Sequence, residues 1–181
     1  MPRARNPASV SKRPAKDYVD RFVAEWMSRR PELKVERLSP LMRVLRLSGV
    51  LEKELSAIAR EHGITSAQFQ VLAALRRHDP VPQSLSELTR VAILTSGSMT
   101  SLVDRLEERD LVRRLPHPAD RRGVLLELTD VGRSVVDASL GTRIRRLHEL
   151  ADNLSTKELD TLSSLLRKLL LAVEAPQDPG E

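Results

Sequence analysis

A run of hydroxyl side chains followed by an arginine is the segment of this 181-residue sequence best suited to binding anions. The run consists of Thr95, Ser96, Ser98, Thr100 and Ser101, with Arg105 after it. Hydroxyl groups donate and accept hydrogen bonds, and a guanidinium presents a charged fork that matches phosphates and base edges. The simpler alternative is that these hydroxyls only cap a helix, because Ser and Thr are preferred at that position.

Arginines are concentrated again between residues 109 and 122. The segment contains five arginines, at positions 109, 113, 114, 121 and 122, and its only acidic residues are Asp110 and Asp120. This composition predicts a local excess of positive charge. On a narrow loop, Arg121 and Arg122 would suit the minor groove of DNA, where the electrostatic potential is most negative. Asp120 would then stabilise the loop through an Asx-turn or by pairing with Arg122, although Asp is also common in ordinary turns.

Catalytic and metal chemistry is not predicted. The sequence has no cysteine, and its four histidines, at positions 62, 78, 117 and 148, lack the spacing of a metal site. It also lacks a Gly-rich phosphate loop and a Ser-His-Asp arrangement. We therefore expect a protein that is not an enzyme and that uses no cofactor or metal ion.

The elements that would position these residues begin with two short helices. Ser84 and Glu87 form a capping box that opens a helix over about 84–91. The apolar positions of the second helix, over about 96–109, are Met99, Leu102, Val103 and Leu106. They recur at helical spacing, so one face is expected to be buried while the polar face meets solvent. Two short helices joined by a tight turn predict a helix-turn-helix.

A β-hairpin is predicted after the second helix. Residues 112–115 and 124–129 have the pattern of strands, and the segment 116–123 between them contains two prolines and a glycine. This order of helix, turn, helix, strand, arginine-bearing loop and strand is that of a winged helix. The fold class is therefore predicted to be mainly α with a small β-hairpin, an α+β winged helix-turn-helix over residues 63–130.

Helices are also predicted on both sides of the winged helix, over 17–62 and over 131–175. The segments 1–16 and 176–181 are expected to be disordered tails. The first tail holds five basic residues and no acidic one, which equals the whole net charge of +5. The net charge by itself is therefore weak evidence for nucleic-acid binding.

The last predicted helix has an apolar stripe that is too wide for a helix with one face in water. Its members are Leu159, Leu162, Leu165, Leu166, Leu169, Leu170 and Val173. Burial on more than one side requires a second subunit, so we expect a homodimer. No apolar run approaches the ~20 residues of a membrane span, and the basic N-terminus lacks the apolar stretch of a secretory signal. We expect a cytoplasmic protein with no membrane partner.

The segment LSELTRVAILTSGSMTSLVDRLEERDLVRRLPHPADRRGVLLELTDVG resembles the MarR family of transcriptional regulators. It contains that family's Asp-x-Arg wing signature as Asp120-Arg121-Arg122, then a strand that ends at Leu128-Thr129, and Gly132. The resemblance extends over about residues 38–173. It implies dimers whose N- and C-terminal helices interlock and whose winged helices bind double-stranded DNA.

Within that family, the added N-terminal helix with Trp26 is similar to the urate-responsive PecS/HucR-like branch, in which a Trp, an Asp and two Arg hold a urate-like anion. The motif match places the Trp at Trp26 and one Arg at Arg90, whereas Gln70 and Leu102 occupy the positions of the Asp and the second Arg. A buried anion needs compensating charge, so the lost cation argues against urate itself. The resemblance still implies that the protein binds a small aromatic or anionic effector. The alternative for Trp26 is that it is a structural residue of the core.

The leading hypothesis is a sequence-specific DNA-binding regulator, a repressor that a small ligand releases from a pseudo-palindromic operator. The hydroxyl run and Arg105 would contact bases and phosphates in the major groove, and Arg121 and Arg122 would contact the minor groove. The alternative is a winged-helix module that contacts only other proteins, because a fold does not determine a function.

Overall fold

The computed structural model describes residues 15–92, 96–118 and 123–175. The chain divides into two compact units, the first ending at Glu54 and the second beginning at Leu55. The predicted fold class is confirmed, since helices predominate and one small antiparallel sheet accompanies them. The functional segments 17–62, 63–130 and 131–175 stay a prediction. Apart from Ala15 and Lys16, the two expected tails lie outside the described residues.

Helix α1 (Tyr18–Arg29) opens the first unit with a capping box. The Asp17 carboxylate accepts a hydrogen bond from the backbone N–H of Asp20, and the Asp20 carboxylate accepts one from Asp17, both at 2.9 Å. Arg43, on helix α2 (Ser39–Glu61), donates to both carboxylates. The hydrogen bond from Arg43 lowers the pKa of Asp17. One guanidinium therefore fixes the start of α1 against α2.

Two 3-10 turns, Pro31–Leu33 and Val35–Leu38, lead into α2. The sequence pattern of Ser39 followed by proline predicts Ser39 as the N-cap, and this prediction is wrong. Ser39 has helical backbone angles, and its N–H donates to the carbonyl of Glu36. Because the preceding 3-10 turn already provides a backbone partner, the helix begins without a side-chain cap.

The second unit contains the end of α2 and further helices. These are α3 (Ser66–His78), α4 (Leu85–Ala92), α5 (Ser96–Glu107), α6 (Asp130–Ala151) and α7 (Thr156–Glu174). A Ser or Thr followed three residues later by Glu or Gln predicts a capping box, and this pattern starts three of these helices. The three boxes form as predicted, and they are Thr65 with Gln68, Ser84 with Glu87, and Ser155 with Glu158. Each box satisfies two backbone N–H groups at the helix start and so fixes where the helix begins.

The described strands form one antiparallel sheet in the order β1–β3–β2. Strand β2 (Val112–Pro116) pairs with β3 (Val124–Leu128), with Val112 opposite Leu128 and Pro116 opposite Val124. The predicted hairpin is therefore confirmed, and residues 119–122 at its tip lie outside the described ranges. A two-residue strand that the sequence did not predict, β1 (Gln83–Ser84), pairs with the other edge of β3.

The core of the second unit lies where the helices and the sheet meet. Its fully buried side chains include Leu72 of α3, Leu88 of α4, Val103 of α5, Leu126 of β3 and Val136 of α6. Full burial of one aliphatic side chain of this size contributes about 1.5–3 kcal/mol. Shared burial thus holds α5 and the β2–β3 hairpin on a common support.

The start of α6 packs directly on the turn that precedes β2. The hydroxyl of Thr129 accepts a hydrogen bond from the N–H of Gly132 at 3.0 Å and donates one to the carbonyl of Asp110 at 2.5 Å. A Cβ atom at Gly132 would lie 1.9 Å from the carbonyl oxygen of Leu111. Only glycine permits this approach, which gives a physical reason for Gly132 in the motif.

An ion-pair cluster joins the end of α3 to the start of α6. Arg133 donates to both oxygens of Asp79, at 3.0 and 2.9 Å, and Arg76 donates to Asp137 at 2.9 Å. The hydrogen bond from Arg133 lowers the pKa of Asp79, and the same bond raises the pKa of Arg133. Both groups therefore stay ionised around neutral pH and hold α6 against α3.

Apolar stripes on the long helices are exposed in the single chain. No residue of α7 is buried, and Leu165 and Leu170 are 54% and 56% exposed. Ile144 and Leu147 of α6 are also exposed. In the described part of the chain, no helix has both the length and the hydropathy that crossing a membrane requires. The stripe on α7 is thus apolar surface of a kind that proteins usually bury against another protein surface.

Candidate nucleic-acid interface

Helix α5 lies with its apolar face on the core and presents its polar face to solvent. Met99, Val103 and Leu106 are buried, as their spacing predicts, and Leu102 is half-buried. The exposed polar side chains are Ser98, Thr100, Ser101, Asp104 and Arg105. The hydroxyl side chains near the N-terminal end are short, so the helix backbone can approach another surface closely.

Several of the residues predicted to contact DNA are not among those that the structure describes. Thr95 and the hairpin-tip residues Asp120, Arg121 and Arg122 lie outside the described residues, and so do the side chains of Ser96 and Arg90. The structure therefore brings Ser98, Thr100, Ser101 and Arg105 together on one helix. The predicted placement of the arginine tip beside that helix stays a prediction.

A cleft of about 320 Å³ lies between α5 and the start of α3. The residues that line it are Thr65, Ala67, Gln68, Ser98, Ser101, Leu102 and Arg105. Gln68 is buried, and its side-chain oxygen already accepts a hydrogen bond from the backbone N–H of Thr65 at 2.9 Å. The cleft thus combines apolar side chains, hydroxyl groups and one exposed cation on Arg105.

The arginines that flank the hairpin are engaged within the protein. Arg113 pairs with Glu127 on the opposite strand, and Arg114 pairs with two carboxylates of α5. Arg109 donates to the carbonyl of Gly63, beyond the end of α2, at 2.7 Å. The predicted excess of positive charge over 109–122 therefore needs correction, because acidic partners outside that window offset the charge of Arg113 and Arg114.

The carboxylates that bind Arg114 are Asp104 and Glu107, a pairing that was not predicted from the sequence. The backbone N–H of Arg114 also donates to Glu107, at 3.2 Å. Burial lowers the pKa of Arg114, but hydrogen bonds to Asp104 and Glu107 outweigh burial and leave that pKa raised. The available signal was two acids spaced by three on a predicted helix, followed by an arginine in the next strand.

Of the four residues matched to an effector pocket, Trp26 lies in the first unit, Gln70 and Leu102 lie in the second, and the side chain of Arg90 lies outside the described residues. Trp26 is 40% exposed, its ring centroid lies 6.1 Å from that of Phe22, and it lines a small cavity with residues of its own helix. Trp26 is therefore not part of the buried core of the single chain, and both the effector role and the structural role stay predictions. In the second unit, Gln70 is exposed, and Gln68 rather than Gln70 shares a cleft with Leu102.

The histidines are dispersed. His62 lies with its Nε2 3.2 Å from the Thr142 hydroxyl, His78 and His148 are exposed, and the backbone N–H of His117 donates to Gly123 across the hairpin. Among the residues that the structure describes, no group of three or more His, Asp and Glu side chains is arranged to hold a metal ion.

Comparison with known proteins gives the family of this region. Residues 64–124 match the model of the MarR family. The HTH-type transcriptional regulator PecS of Dickeya dadantii is 28% identical over 152 residues, which are 83% of this chain and 92% of PecS. The multiple antibiotic resistance protein MarR of Escherichia coli is 39% identical over 108 residues, which are 59% of this chain and 74% of that protein.

The three-dimensional comparison agrees with the sequence comparison. The crystal structure of a mutant MarR from E. coli complexed with operator DNA has a TM-score of 0.63 and 33% sequence identity to this chain, covering 75% of this chain and 97% of the other. The winged helix predicted from the order of helices and strands is thereby confirmed. Taken together, the shared fold and the identity over most of these proteins show that the chain belongs to the MarR family of transcriptional regulators.

Proposed function

We propose that this chain is a repressor that binds a pseudo-palindromic operator as a homodimer, with α5 in the major groove and the β2–β3 hairpin beside it. The observation that carries the proposal is the arrangement of α5. Met99 and Val103 fix the helix on the core, while a row of hydroxyls and Arg105 stays exposed. E. coli MarR, which has this fold at 33% identity, is found complexed with operator DNA.

Each candidate residue has a distinct role in this proposal. Ser98, Thr100 and Ser101 bond to bases and phosphates near the start of α5, and Arg105 reaches the phosphates or a guanine edge. From the sequence, Thr95 and Ser96 add contacts at the helix start. Arg121 and Arg122 enter the minor groove, and Asp120 stabilises the loop that carries them.

The dimer is supported by the exposed leucines of α7, which a second copy would bury. Two-fold symmetry would place two α5 helices in successive major grooves about 34–36 Å apart, the geometry of a helix-turn-helix dimer on a palindromic site. The proposal includes a cytoplasmic location, where bacterial DNA is accessible, and it assigns no catalytic step to the protein.

Relief of repression is proposed to occur at the cleft beside α5. An aromatic carboxylate would bond to Arg105 and pack on Leu102, so that ligand and DNA compete for the same arginine. Benzoate should then raise the melting temperature of the dimer more than the neutral isostere benzyl alcohol does. Equal shifts from both compounds would contradict an anion site at Arg105. The Trp26 and Arg90 positions stay a proposal for a larger effector.

The DNA proposal is tested by binding to the duplex that flanks the protein's own gene. Fluorescence anisotropy of labelled duplexes should show binding in the nanomolar range for this DNA and at least about 1000-fold weaker binding to a shuffled duplex. Arg105→Ala should weaken specific binding by about tenfold, because one good base or phosphate contact contributes about 1–3 kcal/mol.

Arg77→Ala is the matched control. Arg77 is exposed near the end of α3 and also carries one positive charge, but it does not lie on α5. Its loss should change the affinity by less than about threefold, as for a surface residue outside the contact. Binding that is equal on the two duplexes would reject sequence-specific recognition and would favour the protein-interaction alternative.

A further inference from the structure

Helix α5, which is proposed to enter the major groove, carries two acidic side chains close to the residues proposed to contact DNA. Asp104 is adjacent to Arg105, and Glu107 lies three residues further along the helix. Their side chains are 51% and 37% exposed. Phosphates repel carboxylates, so two unscreened acids at this place would oppose DNA binding.

Arg114 of β2 binds both of these carboxylates. One of its terminal nitrogens donates to Glu107 and the other donates to Asp104. The backbone N–H of Arg114 makes a third bond, to Glu107 at 3.2 Å. Because Asp104 and Glu107 are one helical turn apart, they lie on the same side of α5, and a planar guanidinium can span them.

These three bonds connect the hairpin to the helix at a defined place. The backbone bond fixes the position of β2 along α5, and the two side-chain bonds fix its distance from the helix. The same guanidinium adds a positive charge next to two negative ones. Arg114 can therefore do two things. It fixes the position of the hairpin relative to α5, and it reduces the negative electrostatic potential of Asp104 and Glu107.

We propose that Arg114 is a positioning residue for DNA binding, which holds the β2–β3 hairpin at the angle that the operator requires and screens Asp104 and Glu107 from the phosphates. This inference rests on the proposed function of α5. It assigns Arg114 no contact with DNA, since its donors are already directed to the protein's own carboxylates.

The neighbouring Arg113 offers a matched comparison. It lies on the same strand and also forms an ion pair, but its partner is Glu127, directly opposite on β3. That pair lies within the hairpin, and among the residues that the structure describes it does not join the hairpin to α5. Arg113 and Arg114 thus have equal charge and adjacent positions and differ in the element that they bind.

A double-mutant cycle on operator affinity tests the proposal, using Arg114→Ala, Asp104→Asn and the combination. Arg114→Ala should lower the affinity about tenfold, and Asp104→Asn alone should change it less than about threefold. In the Arg114→Ala background, Asp104→Asn should recover about threefold or more, a coupling expected only of residues that act through each other. Additive effects would mean that Arg114 touches the phosphate itself, and they would overturn the proposal.

Two further variants separate geometry from charge. Arg114→Lys keeps the charge but loses the fork, so it should lower operator affinity about fivefold and speed hydrogen exchange in Val112–Pro116. If Arg114→Ala fails to fold, Arg114→Lys takes its place as the test of the proposal. Arg113→Ala should change affinity less than about threefold. Equal losses from Arg113→Ala and Arg114→Ala would show that only net charge matters and would overturn the proposal.

The wild-type protein distinguishes this inference from the proposed function. If it binds the operator specifically and the cycle is additive, only the role of Arg114 is rejected. If it shows no specific binding on any flanking duplex, the function of α5 and the role of Arg114 are rejected together.

Discussion

At the scale of single residues, Asp79 connects α3 to α6 through its carboxylate. Arg133 holds the pKa of Asp79 below its usual value of 3.8 by donating hydrogen bonds to it. A group whose pKa is lower in the folded state stabilises that state above its unfolded pKa. This stabilisation is lost as the pH falls from about 3.8 through the lowered folded-state value.

Asp79→Asn is therefore expected to lower the melting temperature at pH 7 and to have a smaller effect as the pH falls below about 3.8, where the carboxylate of the unfolded wild-type chain becomes protonated. Thermal unfolding followed by circular dichroism at a series of pH values measures this difference. Asp130→Asn is the control, because Asp130 binds the same Arg133 but has a fully exposed side chain. A deficit of Asp79→Asn that is constant from pH 3 to pH 7 would contradict the role given to its ionisation.

The carboxylates that pair with Arg113 and Arg114 could not be predicted from the sequence between residues 109 and 122 alone. Arg114 binds acids 7 and 10 residues earlier in the chain, and Arg113 binds one 14 residues later. Which acid meets which arginine depends on how β2 lies against α5 and in what register β2 pairs with β3. That information is tertiary, so a local charge count identifies the arginines and not their availability.

At the scale of elements, the start of α6 depends on the absence of a side chain at Gly132. Gly132→Ala would place a methyl group 1.9 Å from the backbone oxygen of Leu111, and backbone cannot move aside as a flexible side chain can. We expect a loss of about 3 kcal/mol in the free energy of unfolding, measured by urea denaturation at fixed protein concentration.

Gly141→Ala in the same helix is the control for this prediction. A Cβ at Gly141 has nothing within 4 Å, and the residue lies in the interior of α6. Replacing a glycine by alanine inside a helix usually stabilises by about 0.5–1 kcal/mol. If both substitutions were neutral, the close approach of α6 to Leu111 would be absent in solution.

The sequence predicted elements well where the signal is local. The capping boxes at Thr65, Ser84 and Ser155 are contained in four residues each, and all three start helices as expected. Strand β1 could not be predicted, because its two residues form a strand only through pairing with Leu125 and Leu126, some forty residues later. The prediction that Ser39 caps α2 was wrong for a related reason, because the preceding 3-10 turn provides the backbone partner that a cap would provide.

At the scale of the whole molecule, the exposed leucines of α7 predict how the subunits associate. Leu166→Glu places a charge in the middle of the stripe and should convert the dimer to a monomer, because an unpaired charge in an apolar interface is costly. Light scattering after size exclusion should then report 20.3 kDa in place of twice that mass. Operator affinity should fall with it, since both half-sites are needed.

Lys168→Glu is the control for association, because Lys168 is exposed and lies on the side of α7 opposite Leu166. It should leave the mass at twice that of the chain. A monomeric wild type, or a dimer unaffected by Leu166→Glu, would contradict the use of this stripe. The expectation of a partner follows from the sequence, because the leucine stripe is too wide for a helix that has one face in water.

The ion pairs of Arg113 and Arg114 also have a thermodynamic consequence for any duplex that this protein meets. An arginine that is already neutralised by its own protein displaces no condensed counterions from DNA. Binding should accordingly depend less steeply on ionic strength than the number of arginines around the hairpin suggests. A larger share of the affinity must then come from base edges and groove shape, which favours discrimination between operators over general adhesion to the chromosome.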